Sequence, residues 1–311
     1  LYIDPFNVDT YLTPCIGGGF KLETVIAQHL MPFIGVKYSY LDAVTLRSVT
    51  NYPIATGGLK KQLVVDAGAA FFVVNKNKKK NVKVILSSHK SGDVTTTKFL
   101  TIPSEVKKLL GFEGGLYYNR KALEFRDGSH PLYHYRMEGS TASQPIADVT
   151  SFPSGGQPSG NFYKPMSMAR IFSVFGGIRS RRVTHTVIKT EKYGTRANNS
   201  AFDMYADMMI SPGTSIKEVV DNSGTVWEIK PQAGAIRHLG WRAGFAFHNS
   251  FRTSFQYSFE FGQKPGPKMG SGFLYNGSYI SLGVGIAIGF NKEIKTKDKA
   301  PKTDAPAKTA E

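Results

Sequence analysis

The chain has one cysteine, Cys15, in 311 residues. An internal disulfide framework is therefore excluded. Cys15 also lies too far from the start to be the acylated first residue of a lipoprotein, and it reads as a small packed side chain. No stretch approaches the ~18 unbroken apolar residues of a spanning helix. That absence leaves a membrane β-barrel open, because barrel strands carry a much weaker signal per segment. The chain opens on Leu1-Tyr2-Ile3-Asp4-Pro5, without a basic segment followed by an apolar run. It reads as a mature chain whose export signal has been removed.

Acidic residues are scarce: Asp+Glu number 23 against 39 Lys+Arg, a formal net charge of +16. Such an excess fits a nucleic-acid binder or a protein at an anionic membrane surface. The cations do not alternate with stacking aromatics. They cluster in apparent turns and tails, at Lys76, Lys78, Lys79 and Lys80, at Arg179, Arg181 and Arg182, and at Lys292, Lys295, Lys297 and Lys299. That placement favours lipid phosphates, including lipopolysaccharide, as counter-charges and argues against nucleic acid.

What the sequence does have is period-two alternation, the mark of β-strands. It is clearest near the C-terminus. In 278–290, Ile280, Leu282, Val284, Ile286, Ile288 and Phe290 alternate with small residues and glycines. In 253–262, Phe255, Tyr257, Phe259 and Phe261 alternate with Ser254, Gln256, Ser258 and Glu260. Large apolar groups on one face and small or polar groups on the other suit a narrow membrane barrel, greasy outside and crowded within. Similar alternation marks 16–26, 33–41, 62–74, 110–119, 200–211 and 239–247; 168–178 reads as a strand of ambiguous facing, and 82–87 is a weaker segment. The predicted fold is all-β: an antiparallel transmembrane β-barrel of eight strands, or ten if the weak segment is real. Residues 1–13 read as irregular, 14–291 as the barrel, and 292–311 as a basic tail. Long connections at 121–166, 212–234 and 263–277 are expected outside the cell, and short turns and the tail in the periplasm.

Nine charged residues fall on the predicted inner faces: Lys21, Glu23, Lys37, Asp66, Glu113, Asp203, Asp207, Arg242 and Glu260. Both signs converge on a narrow bore. Unpaired buried charges cost several kcal/mol each, so an ion-pair network sealing the interior is expected. The outer faces carrying Phe255–Phe261 and Ile280–Ile288 are expected to meet lipid.

No catalytic signature accompanies this pattern. The seven histidines lack metal-ligand spacing. Asp127, His130, His134, Glu138 and Ser140 share the longest connection, but nothing in the sequence fixes a nucleophile beside a base. Gly17-Gly18-Gly19 sits inside a strand pattern and is followed by no helix, so it is no phosphate loop. Neither cofactor nor metal is implied.

Three runs resemble the C-terminal half of small outer-membrane β-barrel proteins of Bacteroidota: Leu239-Gly240-Trp241-Arg242-Ala243-Gly244-Phe245, Glu260-Phe261-Gly262-Gln263-Lys264-Pro265-Gly266 and Tyr279-Ile280-Ser281-Leu282-Gly283-Val284-Gly285. Two more stretches, 205–212 and 111–116, resemble the same group. The resemblance spans about 110–290 and implies fold and location without catalytic residues. The tail beyond Phe290 departs from that pattern and suggests an added periplasmic contact through Lys292, Lys295, Lys297 and Lys299. The expected function is a non-enzymatic accessory or structural subunit of a multiprotein outer-membrane assembly for barrel insertion, secretion or surface-lipoprotein handling. Its partners would be other outer-membrane and periplasmic proteins. The alternatives are a surface adhesin or ligand-binding barrel acting through 121–166, and an outer-membrane hydrolase.

Overall fold

Residues that alternate in character along the chain present two unlike faces once extended. In the computed structural model these extended segments close into a ring. The structure describes residues 1–26, 29–46, 54–125, 132–141, 144–145, 165–190, 194–220, 224–249, 255–269 and 276–287. The wall consists of β1 (Tyr2–Asp9), β2 (Cys15–Glu23), β3 (Leu30–Asp42), β4 (Leu63–Ser91), β5 (Val94–Glu124), β6 (Met166–Thr190), β7 (Gly194–Ile216), β8 (Leu239–Asn249), β9 (Phe255–Gln263) and β10 (Ser278–Ala287). Each strand pairs antiparallel with the next in chain order, and β10 pairs with β1 to close the circuit. Closure leaves the ring without an open sheet edge. The fold is thus an all-β antiparallel barrel of ten strands rather than eight, with the one-turn segment Ala43–Leu46 as its described helix.

Three expectations require correction. Residues 1–13 are not irregular, because Tyr2–Asp9 is a wall strand paired on both sides. Its register shifts between Ile3 and Phe6, across Asp4-Pro5. An extra residue there moves the alternation by one position, and Pro5 has no N–H for the ladder. Residues 76–80 are not a turn. They lie within β4, whose pairing with β5 continues to a tight turn between Ser91 and Val94. Lastly, 121–124 do not begin a loop. They complete β5, and Lys121 is fully buried.

The two ends of the barrel differ. One end carries the elaborated connections, which form a cap. Short strands Ile54–Ala55, Val219–Val220, Val226–Pro231, Tyr133–Met137 and Gln144–Pro145 pair in series, and Ile54 joins them to Met166 of β6. A buried cluster that includes Tyr11, Phe125, Tyr133, Ile171, Trp227, Ile229 and Tyr279 packs beneath them. Burial of its phenol in this cluster raises the pKa of Tyr133. Parts of the expected long loops are therefore folded into this cap; 126–131 and 146–164 lie outside the described residues.

At the other end, β4 pairs with β3 only as far as Phe71, yet β4 and β5 stay paired to Ser91 and Val94. From Phe71 to Ser91 the hairpin beyond the rim extends for roughly 65 Å at ~3.3 Å per residue. The ends of β6 and β7 accompany its base. The first residues of β1 and the last of β10 lie at this same arm end.

Candidate functional site

The bore is the candidate site, because strand parity sends most of the chain's unlike charges into it. On β10, Ser281, Gly283 and Gly285 face inward. Their small size matters: a Cβ at Gly283 would lie 3.2 Å from Asn7 Nδ2, and one at Gly285 would lie 3.1 Å from Asp4 Cγ. Bare glycine backbone makes room for polar side chains from neighbouring strands.

The filling comes in three levels. At the arm end, Arg181 Nη1 lies 2.6 Å from Glu23 and 3.6 Å from Asp203. Arg179 reaches Glu113 at 3.0 Å, Glu23 at 3.6 Å and Asp203 at 3.9 Å. Lys21 adds a contact to Glu23 at 3.2 Å, and Tyr2 donates to Glu23 at 3.1 Å. Midway, Arg242 lies 2.8 Å from both Asp66 and Asp207 and 3.8 Å from Glu260. Tyr205 and Tyr279 both donate to Glu260. The Arg242 guanidinium stacks 4.3 Å from the Phe175 ring centroid. Toward the cap, Lys264 donates to Asp9 at 3.0 Å and sits 3.8 Å from the Tyr279 ring. Beside it, Lys121 donates to Thr13 carbonyl and Gln62 and lies 3.7 Å from Asp42.

Eight of the nine expected bore residues are therefore ion-paired. Lys37, the ninth, lines a small space with Asn7, Asp9 and Ser39 and makes no direct ion pair among the described residues. Sequence reasoning missed Arg179 and Arg181, which are buried inside the bore rather than exposed in a turn. The signal was present. Phe172, Val174 and Ile178 are exposed on the outside, so 179 and 181 share inward parity with Ser173 and Phe175. Arg182, one residue on, does face out. Lys264 and Lys121 carried no local signal, since long-range closure of the cap brings them in.

Glu23, Asp203 and His248 place one ligand atom each within 4.8 Å of one another, a spacing that a metal ion could use. His248 lies 3.4 Å from Asp203. Arg179 and Arg181 already flank both carboxylates, and two guanidiniums at this range would repel a divalent cation. The cluster is an ion-pair layer.

The outer faces carry Phe255, Tyr257, Phe259, Phe261, Ile280, Leu282, Val284 and Ile286, directed away from the bore; all but the partly exposed Phe259 are exposed. Ile288 lies outside the described residues, as do Lys292, Lys295, Lys297 and Lys299. Of the hydrolase candidates, Asp127 and His130 also lie outside them. His134 sits on a cap strand opposite Lys230 and Pro145.

No family model matches the chain, and no curated protein matches it. The resemblance to Bacteroidota barrels therefore rests on sequence pattern alone. Among solved structures the chain is similar to OmpT (in-vitro folded), an outer membrane protein of Vibrio cholerae, at 9% identity over 91% of this chain and 94% of that one. The TM-score is 0.17, so the barrel assignment rests on the strand pairing described above and not on this likeness.

Proposed function

We propose that the protein is an outer-membrane barrel that anchors and presents rather than transports or catalyses, serving as an accessory or structural subunit of a larger assembly. The observation that carries this reading is the bore itself. Charges of both signs are matched at three levels along its axis, while the outer wall is a continuous apolar band on all ten strands. Large apolar surface facing outward around closed strands is what hydrocarbon requires. A bore filled with paired side chains leaves the two ends as the surfaces for work.

The arm end is the better candidate for partner contacts. A two-stranded hairpin exposed on both faces is marginal alone, so an arm of this length suits a bound partner. The chain also leaves the barrel at this end, toward the basic tail. By the rule that short turns are periplasmic, the arm and tail lie in the periplasm and the cap faces outside. The Lys-rich arm and tail then call for acidic periplasmic or outer-membrane proteins.

The test is co-purification from mild detergent of the tagged full chain and of a version whose hairpin is shortened between Asn77 and Lys107. Partners recovered with the full chain and lost with the short arm support the reading. Recovery of both as lone monomers, with every outer-membrane assembly intact in cells lacking the protein, would overturn it.

A further inference from the structure

Lys76 on β4 lies directly opposite Lys108 on β5, and Lys108 lies directly opposite Arg182 on β6. We propose that this row is a binding site for the phosphate of a membrane lipid headgroup, seated against the outer wall at the arm-side edge of the apolar band. The proposal rests on the membrane reading above and adds a ligand to it.

Three cations side by side across adjacent strands need an explanation. Residues directly opposite have Cβ atoms ~5 Å apart, and like charges there destabilise a sheet. In the bore, nearly every cation answers a carboxylate. Here, none of the three makes an ion pair among the described residues. The nearest acids do not serve. Asp203 faces the bore, held by Arg181 and Arg179. Glu105 is three residues from Lys108, so strand alternation turns it to the opposite face.

The row faces outward. Arg182 is opposite Phe202, Phe202 is opposite Phe247, and Phe247 is opposite Tyr257. Residues in one such row share a face, and those three aromatics are exposed on the barrel exterior. Lys76, Lys108 and Arg182 are exposed as well.

Its height explains the choice of ligand. Leu110, two residues from Lys108 on the same face, is exposed, and so are Phe112 and Ile178 beyond it. Two residues along a strand span ~7 Å, so the cations begin one step below the last exposed apolar side chains of the wall, and Val106, one step further on the same face, is buried. That step is where headgroup phosphates lie when the apolar band fills the hydrocarbon. One phosphate offers several oxygens to ammonium and guanidinium donors, and Arg can engage two of them at once. A lipid also supplies acyl chains for the wall of Leu110, Phe112 and Ile178, which a free anion cannot.

The full chain would be reconstituted into phosphatidylcholine nanodiscs containing phosphatidylglycerol, an anionic phospholipid of the periplasmic leaflet on the arm side, released, and weighed by native mass spectrometry. The wild type should retain phosphatidylglycerol. The variant carrying Lys76→Gln, Lys108→Gln and Arg182→Gln should retain about tenfold less, as expected when charge-assisted contacts are lost. Lys90→Gln with Lys98→Gln, far along the arm, should change nothing. A second measurement covers poor folding of the triple variant. In zwitterionic detergent, Lys108→Gln alone should raise the unfolding temperature by relieving repulsion, and phosphatidylglycerol should stabilise the wild type but not this variant. Equal lipid retention by wild type and triple variant would overturn the proposal. Displacement of the lipid by millimolar inorganic phosphate would likewise overturn it, in favour of a free-anion site. Failure of the wild type to enter nanodiscs would overturn the membrane reading beneath it.

Discussion

Arg242 and Asp207 face each other in register across β8 and β7, with Nε 2.8 Å from Oδ2. The pair is buried, and the same guanidinium reaches a strand on the far wall through Asp66 on β4. One side chain thus ties opposite sides of the barrel. It does so because β7 and β8 both send every second residue inward, and their register sets a cation against an anion.

Removing Arg242 should therefore be far worse than removing an exposed cation. Arg242→Met leaves Asp66, Asp207 and Glu260 without their shared partner, and breaking a buried pair costs about 3–5 kcal/mol. Denaturant unfolding in detergent should show that loss. Arg242→Lys should recover only part of it, since an ammonium lacks the planar fork.

Gly244 lies opposite Tyr205, and a Cβ there would come within 2.7 Å of the Tyr205 ring. Gly244→Ala should push the ring aside and break its hydrogen bond to Glu260. A cost of about 1–3 kcal/mol is expected from overpacking. Tyr205→Phe should relieve only part of the clash, because it removes the hydroxyl oxygen 2.6 Å away but leaves the ring. Tyr205→Ala in the Gly244→Ala background should lower the penalty assigned to Gly244, which a double-mutant cycle would measure.

Leu282 sits on the outer face between Val8 and Phe259. Leu282→Arg should destabilise the membrane-embedded barrel by about 2–4 kcal/mol if this position lies near the bilayer centre. A water-exposed Leu282 would tolerate the change within about 0.5 kcal/mol. Folding yield into lipid vesicles, compared with stability in detergent, separates these outcomes.

Glu228 on the cap accepts hydrogen bonds from Lys230 and Arg136, which hold its carboxyl below the usual range. A depressed folded pKa stabilises the cap above the ordinary carboxylate pKa and is lost as pH falls through the folded value. Amide exchange of the strand pair Tyr133–Met137 and Val226–Pro231 should therefore quicken in acid. Glu228→Gln should remove that dependence.

How much was legible follows from parity. β7 to β10 could be read because their alternation runs unbroken, and glycine on one face left no doubt about which side was crowded. β1 could not, because the shift at Asp4-Pro5 puts its inward residues, Asp4, Asn7 and Asp9, out of step. The arm was misread because lysines and asparagines look like a turn. Only pairing with β5 holds them extended, and pairing is not a local property. In the bore, the carboxylates were found more readily than their partners. Asp203 sits between Phe202 and Met204, and Asp207 between Ala206 and Met208, whereas Arg179 and Arg181 follow two glycines and precede another arginine. Lys264 reaches Asp9 across the cap, a contact between residues far apart in the chain.

The two tryptophans offer the most direct test of an apolar wall facing lipid. Trp241 is 42% exposed on the outside of β8, and Trp227 is 6% exposed within the cap. Fluorescence would be recorded in vesicles of brominated lipid for the wild type, Trp227→Phe and Trp241→Phe. Strong quenching of Trp241 in the Trp227→Phe variant, with little quenching of Trp227 in the Trp241→Phe variant, is the expected result. Equal insensitivity of both tryptophans, with the protein remaining in the aqueous phase, would contradict the account.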